Sequence, residues 1–175
     1  MLDLEDLAAR AARGDREAFA ELASRLQGPV WRYAYHLTRR RDLADEAAQE
    51  TWARAIRALH HFRGESTVQT WLLGIARRVV AGLLQEQNRQ PAAREPSAPS
   101  NSIGLVEVGI ALATLPQELK EVLVLTQVVG LSYLEASSVL GIKLGTVRSR
   151  VFRARTALVA ALSDRPEGVE ADDGL

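Results

Sequence analysis

The sequence predicts an all-α fold built from two small helical domains joined by a flexible linker. Strand-like alternation of apolar and polar residues is absent, and the helix formers Ala, Leu, Arg and Glu dominate. Two blocks with helical apolar spacing flank residues 88–104, which hold three prolines and three serines and offer little to bury. The predicted domains are therefore residues 1–87 and 105–163, followed by an acidic tail at 164–175.

Breaks and caps divide the first block into helices. The Gly-Asp pair at 14–15 predicts the end of a first helix, with the aspartate capping a second. The Gly-Pro pair at 28–29 predicts another break and a new helix after it. Asp42 is predicted to cap a fourth helix, which ends near Leu59. Ser66 precedes a glutamine by three residues, and this capping-box spacing predicts the start of a long helix.

The second block contains a helix-turn-helix pattern. Residues 131–141 indicate a short helix that ends at a glycine, and residues 142–145 indicate a tight turn. Thr146 then begins a longer helix that reaches about residue 162. Helical phase predicts one core-facing stripe on that helix. The stripe consists of Val147, Val151, Ala154, Leu158 and Leu162.

The net charge is zero, but the charges are unevenly distributed. Residues 109–163 carry 6 basic and 3 acidic side chains, whereas residues 164–175 carry 1 basic and 5 acidic. No acid occurs between Ile142 and Ser163, where five basic residues lie. Because ordinary surface helices mix both signs, this predicts a nucleic-acid-binding face, with a solvated basic face as the alternative.

Several classes of protein are excluded by composition. The chain has no cysteine, so a disulfide scaffold, a thiolate metal site and a cysteine nucleophile are excluded. Only three histidines are present, and no metal site or cofactor is predicted. No nucleophile–His–acid set or phosphate-binding glycine loop is evident, so the chain is not predicted to be an enzyme. The acidic start is not a secretory signal and no apolar run is long enough for membrane insertion, so a cytoplasmic protein is expected.

Motifs in both blocks resemble one known family. In order and spacing, the chain resembles the extracytoplasmic-function (ECF, group 4) sigma factors of the bacterial sigma-70 family. The resemblance covers about residues 5–87 and 110–162. It is carried by residues 45–56 and 71–78 in the first block and by 115–116, 131–133, 140–141, 145–150 and 153–155 in the second.

The resemblance implies a function for each domain. Residues 1–87 correspond to sigma domain 2, which docks on the clamp coiled coil of the polymerase β′ subunit and captures melted bases of the minus-10 element. Residues 105–163 correspond to sigma domain 4, which binds the minus-35 element as duplex and lies on the β-subunit flap. The implied partners are core RNA polymerase, promoter DNA and an anti-sigma factor.

The same resemblance, combined with helical phase, assigns candidate site residues. For the minus-35 element these are Lys143, Thr146, Arg148, Ser149, Phe152 and Arg153. For the minus-10 loop they are Phe62, Arg63 and Ser66, and for core polymerase they are Asp45, Gln49, Glu50 and Ala53. Trp31, Trp52 and Trp71 are predicted to be core residues, and so is Ile56, on the inward side of the fourth helix.

Alternatives remain for both candidate surfaces. From periodicity alone, the polar ridge at residues 45–57 is equally well a solvated helix face with ion pairs one turn apart. The helix-turn-helix could also belong to a regulator that dimerises on a palindromic operator, although no heptad or spare apolar helix supplies a dimer surface. One departure from the family is the weakly basic stretch 81–90, where Arg89 is the only basic residue and Glu86 is acidic.

Overall fold

The structure is a computed structural model of the 175-residue chain, and it describes residues 3–89 and 111–163. The described residues contain helices and no strand, which confirms the all-α class. The first half holds α1 (Leu4–Ala12), α2 (Arg16–Thr38), α3 (Arg41–Ala58), a 3₁₀ turn (Leu59–His61) and α4 (Val68–Arg89). The second half holds α5 (Gln117–Leu123), a π-helical turn (Val124–Val128), α6 (Tyr133–Leu140) and α7 (Leu144–Ser163).

The predicted linker and tail fall largely outside the described residues. Helix α4 continues through Arg89, so residues 88–89 are helical and the predicted linker cannot begin at 88. The rest of the predicted linker, residues 90–104, and the predicted tail, 164–175, lie outside the described ranges.

The predicted break at Gly28-Pro29 is wrong, because α2 is one continuous helix with Pro29 inside it. A proline costs a helix one backbone hydrogen bond, but burial of an apolar face offsets that loss. Leu26, Val30 and Tyr33 lie on one buried stripe that spans the proline. Tertiary packing therefore overrides the local break signal.

The predicted caps are confirmed at one helix and wrong at two. The Asp15 carboxylate accepts hydrogen bonds from the backbone N–H groups of Glu17 and Ala18, as predicted, and its pKa is lowered by them and by Arg10. Helix α3 instead begins at Arg41, without a side-chain cap. Asp42 lies in its first turn and pairs with the Arg40 guanidinium, so its carboxylate is not available as a cap.

Helix α4 begins one residue later than a Ser66 cap predicts. Thr67 is the capping side chain, because its hydroxyl accepts a hydrogen bond from the Thr70 backbone N–H at 3.2 Å. Glu5 of α1 caps the same end by accepting from the Val68 N–H at 3.0 Å. The Ser66 hydroxyl donates to the Thr67 carbonyl instead, which leaves Ser66 in the preceding loop.

The helix-turn-helix is present, with small shifts at its ends. Ser132 and Glu135 form a reciprocal capping box on α6, and Gly141 ends that helix at φ 65°, a left-handed conformation that favours glycine. Helix α7 begins at Leu144, two residues before the predicted start. Leu162 was predicted to be core but is 41% exposed, because the buried stripe on α7 ends before the helix does.

The two halves share one apolar core. Buried residues of the first half, such as Leu22 and Leu72, and of the second half, such as Val122 and Val147, belong to a single contiguous cluster. The predicted core residue Ile56 lies outside this cluster and is 58% exposed. It lines a shallow cleft between α1, α2 and the end of α3. Within the described parts of the chain, every helix is too short or too polar to cross a membrane.

Candidate nucleic-acid interface

Helix α7 has one buried face and one open face. Val147, Val151 and Ala154 are buried against the rest of the second half, as their spacing predicts. The six candidate residues lie on the other side: Lys143, Arg148, Ser149, Phe152 and Arg153 are exposed, and Thr146 is half-buried. Phe152 is 72% exposed, so an aromatic ring stands in solvent between arginines. Such a face suits contact with base edges, thymine methyl groups and phosphates in a groove of duplex DNA.

Two of the five basic residues in this stretch are held by other helices. The Arg150 guanidinium pairs with Glu118 of α5 at 2.7 Å, and its Nε is buried. Arg155 donates a hydrogen bond to the Gln127 side-chain oxygen at 3.1 Å. These contacts orient α7 against the preceding helices. The remaining basic side chains are Lys143, Arg148 and Arg153, and among the described residues none of them has an ion-pair partner.

Lys143 lies at the start of this open face. Its carbonyl accepts hydrogen bonds from the backbone N–H groups of Thr146 and Val147, which begins the first turn of α7. Gly141 reverses the chain just before it. Lys143 is exposed and directly precedes α7, and the N-terminus of a helix together with a lysine favours a phosphate group through the helix dipole and the positive charge.

The loop before α4 borders a small cavity of about 180 Å³ that is open to solvent. All three candidate residues of the minus-10 loop, Phe62, Arg63 and Ser66, line it. Trp71 lines it as well, with its ring centroid 5.3 Å from that of Phe62. Trp71 was predicted to be a core residue, but it is half-buried, with part of its ring packed on the core and part at the cavity. His61 and Glu65 also line the cavity, and both belong to the predicted loop although neither was assigned a role.

A larger groove of about 560 Å³ runs between α3 and α4. Gln49, Glu50 and Ala53, three of the four candidate polymerase-binding residues, line its α3 wall. Asp45, the fourth, does not line it, and its carboxylate accepts a hydrogen bond from the Trp31 indole N–H at 2.7 Å. The α4 wall was not predicted, because periodicity within one helix does not reveal its neighbour. That wall consists of Arg78, Val79, Gly82 and Leu83.

Side chains of the kinds that bind metals also occur among the described residues of the candidate sites. In the part of the chain that the structure describes, no three or more His, Cys, Asp or Glu side chains form a group that could hold a metal. The His60 and His61 rings lie with their centroids 3.8 Å apart and their planes tilted by 42°.

Each half of the chain matches a known protein family. Residues 22–90 match the family described as Sigma-70 region 2, and residues 106–158 match Sigma-70, region 4. The chain is 40% identical over 166 residues to the ECF RNA polymerase sigma factor SigC of Mycobacterium tuberculosis, covering 88% of each chain. The chain belongs to the ECF sigma factors of the sigma-70 family.

Two solved structures have the same fold as this ECF sigma factor. CnrH, solved in complex with the cytosolic domain of CnrY, is 31% identical, with a TM-score of 0.76 and coverage of 91% of this chain and 97% of that one. The sigma factor RpoE of Bartonella quintana, solved with the anti-sigma factor NepR, is 26% identical, with a TM-score of 0.74 and coverage of 84% and 98%. The protein is thus a transcription initiation factor with a region 4 helix-turn-helix.

Proposed function

We propose that this sigma factor, bound to core RNA polymerase, contacts the minus-35 element as duplex and captures melted minus-10 bases. The observation that carries the proposal is the contrast between its two candidate DNA surfaces. The open face of α7 is convex and basic, with Phe152 exposed between arginines. The loop before α4 is concave and aromatic, with Phe62 and Trp71 at one small cavity. Convex basic helices fit duplex grooves, whereas aromatic cavities fit unstacked bases.

The proposed polymerase contact is the groove between α3 and α4, and its partner is the clamp coiled coil of the β′ subunit. Glu46, Gln49 and Glu50 give the α3 wall a polar and partly acidic character, which complements a basic partner helix. Arg54, paired with Glu50 at 2.6 Å, and Arg78 at the opposite wall supply the positive charges of the groove. The second half is proposed to lie on the β flap.

The remaining proposals concern the protein's setting. It acts as a non-catalytic subunit in the cytoplasm, where its polymerase and promoter are. An anti-sigma factor is a further proposed partner. Support comes from the structural relative RpoE, which was solved with the anti-sigma factor NepR.

The test is in vitro transcription with core RNA polymerase on fragmented DNA of the source organism. New specific starts that share an upstream duplex motif and a melted downstream motif are expected only when the sigma factor is added. Two results would favour an independent regulator instead. One is an effect on transcription by a chain that does not bind core polymerase, and the other is tight, specific binding of the free chain to a palindromic DNA.

The polymerase groove is tested with a double variant, Gln49→Lys with Glu50→Lys. It should compete poorly for core, because it reverses the charge of the α3 wall. A matched control is Glu21→Lys with Gln27→Lys. It removes a similar one-turn Glu–Arg pair, between Glu21 and Arg25 at 2.7 Å, on an exposed part of α2. Normal competition by the groove variant would refute the assignment of this surface.

A further inference from the structure

A strongly acidic segment directly follows the most basic helix of the chain. Residues 142–163 contain five basic residues and no acid, whereas the acidic tail, residues 164–175, contains five acids and one arginine, a net charge of −4. The tail lies outside the described residues, but it is joined to α7 at Ser163. Opposite charges on one covalent chain attract each other wherever the chain brings them within about a Debye length, which is about 8–10 Å at physiological salt.

Three basic side chains of this helix and its preceding turn are not neutralised. Lys143, Arg148 and Arg153 are exposed, and none of them forms an ion pair with another described residue. The neighbouring Arg150, by contrast, pairs with Glu118 of α5 at 2.7 Å. The open face of α7 therefore carries three positive charges for which the described part of the chain supplies no carboxylate.

Small, uncharged side chains separate the acidic tail from the basic face. Residues 156–163, between the last arginine of α7 and the tail, carry no charge. Thr156, Ala160 and Ser163 lie about one turn apart on the same exposed stripe as Arg153. The last turn of α7 contains no basic residue, and the C-terminus is the negative end of the helix dipole. Acids are therefore disfavoured beside Ser163 and favoured nearer the N-terminal turns.

The acidic tail is long enough to reach the whole basic face. A helical rise of about 1.5 Å per residue places Arg153 about 15 Å and Lys143 about 30 Å from Ser163 along the helix axis. The tail has 12 residues. A chain of that length spans at most about 40 Å. It can therefore return along α7 as far as Lys143 while the helix keeps all of its turns.

We propose that the acidic tail binds the open face of α7 in the free chain and competes there with DNA phosphates. Carboxylates and phosphates accept hydrogen bonds from the same lysine and arginine donors, so the tail can occupy the positions that phosphates would take. The contact weakens DNA binding by the free chain without altering the face itself. The proposal rests on the proposed function, because it assumes that this face binds DNA.

The covalent connection makes even a weak contact effective. A segment attached by a short connection has an effective concentration of about 1 mM at its binding surface. A contact with an intrinsic dissociation constant of about 0.1 mM would then cover the face in about nine of ten molecules. Because only the uncovered fraction binds DNA, the apparent affinity of the free chain for DNA would fall about tenfold.

The first experiment measures the affinity of the free chain for a mixed-sequence duplex of about 20 base pairs, since attraction to phosphates needs no particular sequence. The tail variant reduces the net charge of the tail from −4 to −1. It combines Glu170→Gln, Asp172→Asn and Asp173→Asn. The control removes three exposed acids of the first half, so both variants change the total charge equally. It combines Asp6→Asn, Glu17→Gln and Glu21→Gln.

The two variants should differ in their DNA affinity. At about 50 mM salt, we expect the tail variant to bind the duplex about tenfold more tightly than the unmodified chain, and the control to change by less than about twofold. The gain should shrink at about 200 mM salt, because screening weakens the contact between tail and face. Equal gains in both variants would overturn the proposal, since they would reflect total charge alone, and so would an unchanged affinity of the tail variant.

The second experiment locates the acidic tail in the absence of DNA. A nitroxide label on the variant Gly174→Cys is specific, because the chain has no cysteine, and it leaves all five acids of the tail in place. We expect paramagnetic broadening of the amide signals of Arg148 and Arg153 in dilute salt. The signals should return at about 1 M salt, where the Debye length is about 3 Å, and in the tail variant. Broadening centred on another surface, or no broadening, would overturn the proposal.

The two readouts separate this proposal from the proposed function on which it rests. Broadening on α7, combined with no DNA binding by any variant with or without core polymerase, would refute the DNA-binding role of the face, while the contact between tail and face would stand. DNA binding by α7 without such broadening would refute the tail contact alone and leave the proposed function intact.

Discussion

The two aromatic side chains Phe62 and Phe152 occupy opposite kinds of surface. Phe62 is half-buried in a loop cavity, 5.3 Å from the Trp71 ring, whereas Phe152 is 72% exposed on a regular helix. A ring already fixed in a cavity loses little freedom when a base stacks on it, which favours capture of a single unpaired base. A ring on a convex helix reaches outward, which favours a thymine methyl or a sugar in an intact groove. Under the proposed function, the same residue type would therefore serve different forms of DNA according to the curvature of the surface around it.

The sharpest way to break this comparison is to remove each ring in turn. With core polymerase bound, Phe62→Ala should weaken binding to a single-stranded minus-10 oligonucleotide by about 1–3 kcal/mol, because base–aromatic stacking contributes that much per base. Binding to a minus-35 duplex should stay unchanged. Phe152→Ala is the matched variant and should show the reverse pattern, and the measurement is the dissociation constant on each DNA. Equal losses on both DNA forms would mean that curvature does not separate the two surfaces.

Local signals in the sequence predicted the convex surface well. The phase of α7 follows from Val147 and Val151, whose spacing marks the buried side, and the open side is what remains. Gly141 ends α6, and the Lys143 carbonyl accepts from the first turn of α7, so the turn between the helices is set by contacts within a few residues. A surface built from one helix and the turn before it is therefore within reach of sequence reasoning.

The concave surfaces and the contact between the halves were less predictable. The far wall of the groove, with Arg78 and Leu83, belongs to a helix that lies next to α3 only after folding. The hydrogen bond between Tyr33 and Glu121 joins residues 88 positions apart, and no periodicity in the sequence reports such a pairing. Pro29 illustrates the same limit, because residues buried on both sides of it keep α2 continuous despite a local sequence signal for a helix break.

A second prediction concerns the two kinds of charge on α7. Lys143→Ala should lower the slope of log affinity against log salt by about 0.9, which is about threefold in affinity between 50 and 200 mM salt, because it removes one phosphate contact. Discrimination between promoter sequences should be unchanged. Arg148→Ala should instead relax the preference at one base pair of the minus-35 duplex if its guanidinium binds a base edge. Salt titrations on matched and single-mismatch duplexes separate the two results. An identical response of both variants would place both side chains on the phosphate backbone.

The smallest effect we predict is a pH-dependent loss of unfolding free energy at the helix cap formed by Glu135 in the second half. Hydrogen bonds from the Ser132 hydroxyl and backbone lower the pKa of Glu135 below its usual value of 4.5. The ionised carboxylate therefore contributes its full share of the free energy of unfolding above pH 4.5. The contribution is lost as the pH falls through the lowered pKa of the folded state. Glu135→Gln should therefore cost about 0.5 kcal/mol of unfolding free energy at pH 7. That difference should shrink toward zero under acid, and urea titrations at several pH values measure it.

The first half provides the control for this pH effect. Asp15 caps α2, and its pKa is lowered chiefly by the Ala18 backbone N–H and by Arg10, so it should titrate normally in the Glu135→Gln variant. Acid destabilisation that persists at the same size in Glu135→Gln would assign the pH dependence to the first half, through caps such as Asp15. Loss of only part of the acid destabilisation would assign one share to each cap, because the two carboxylates stabilise different helices and have no hydrogen-bond partner in common.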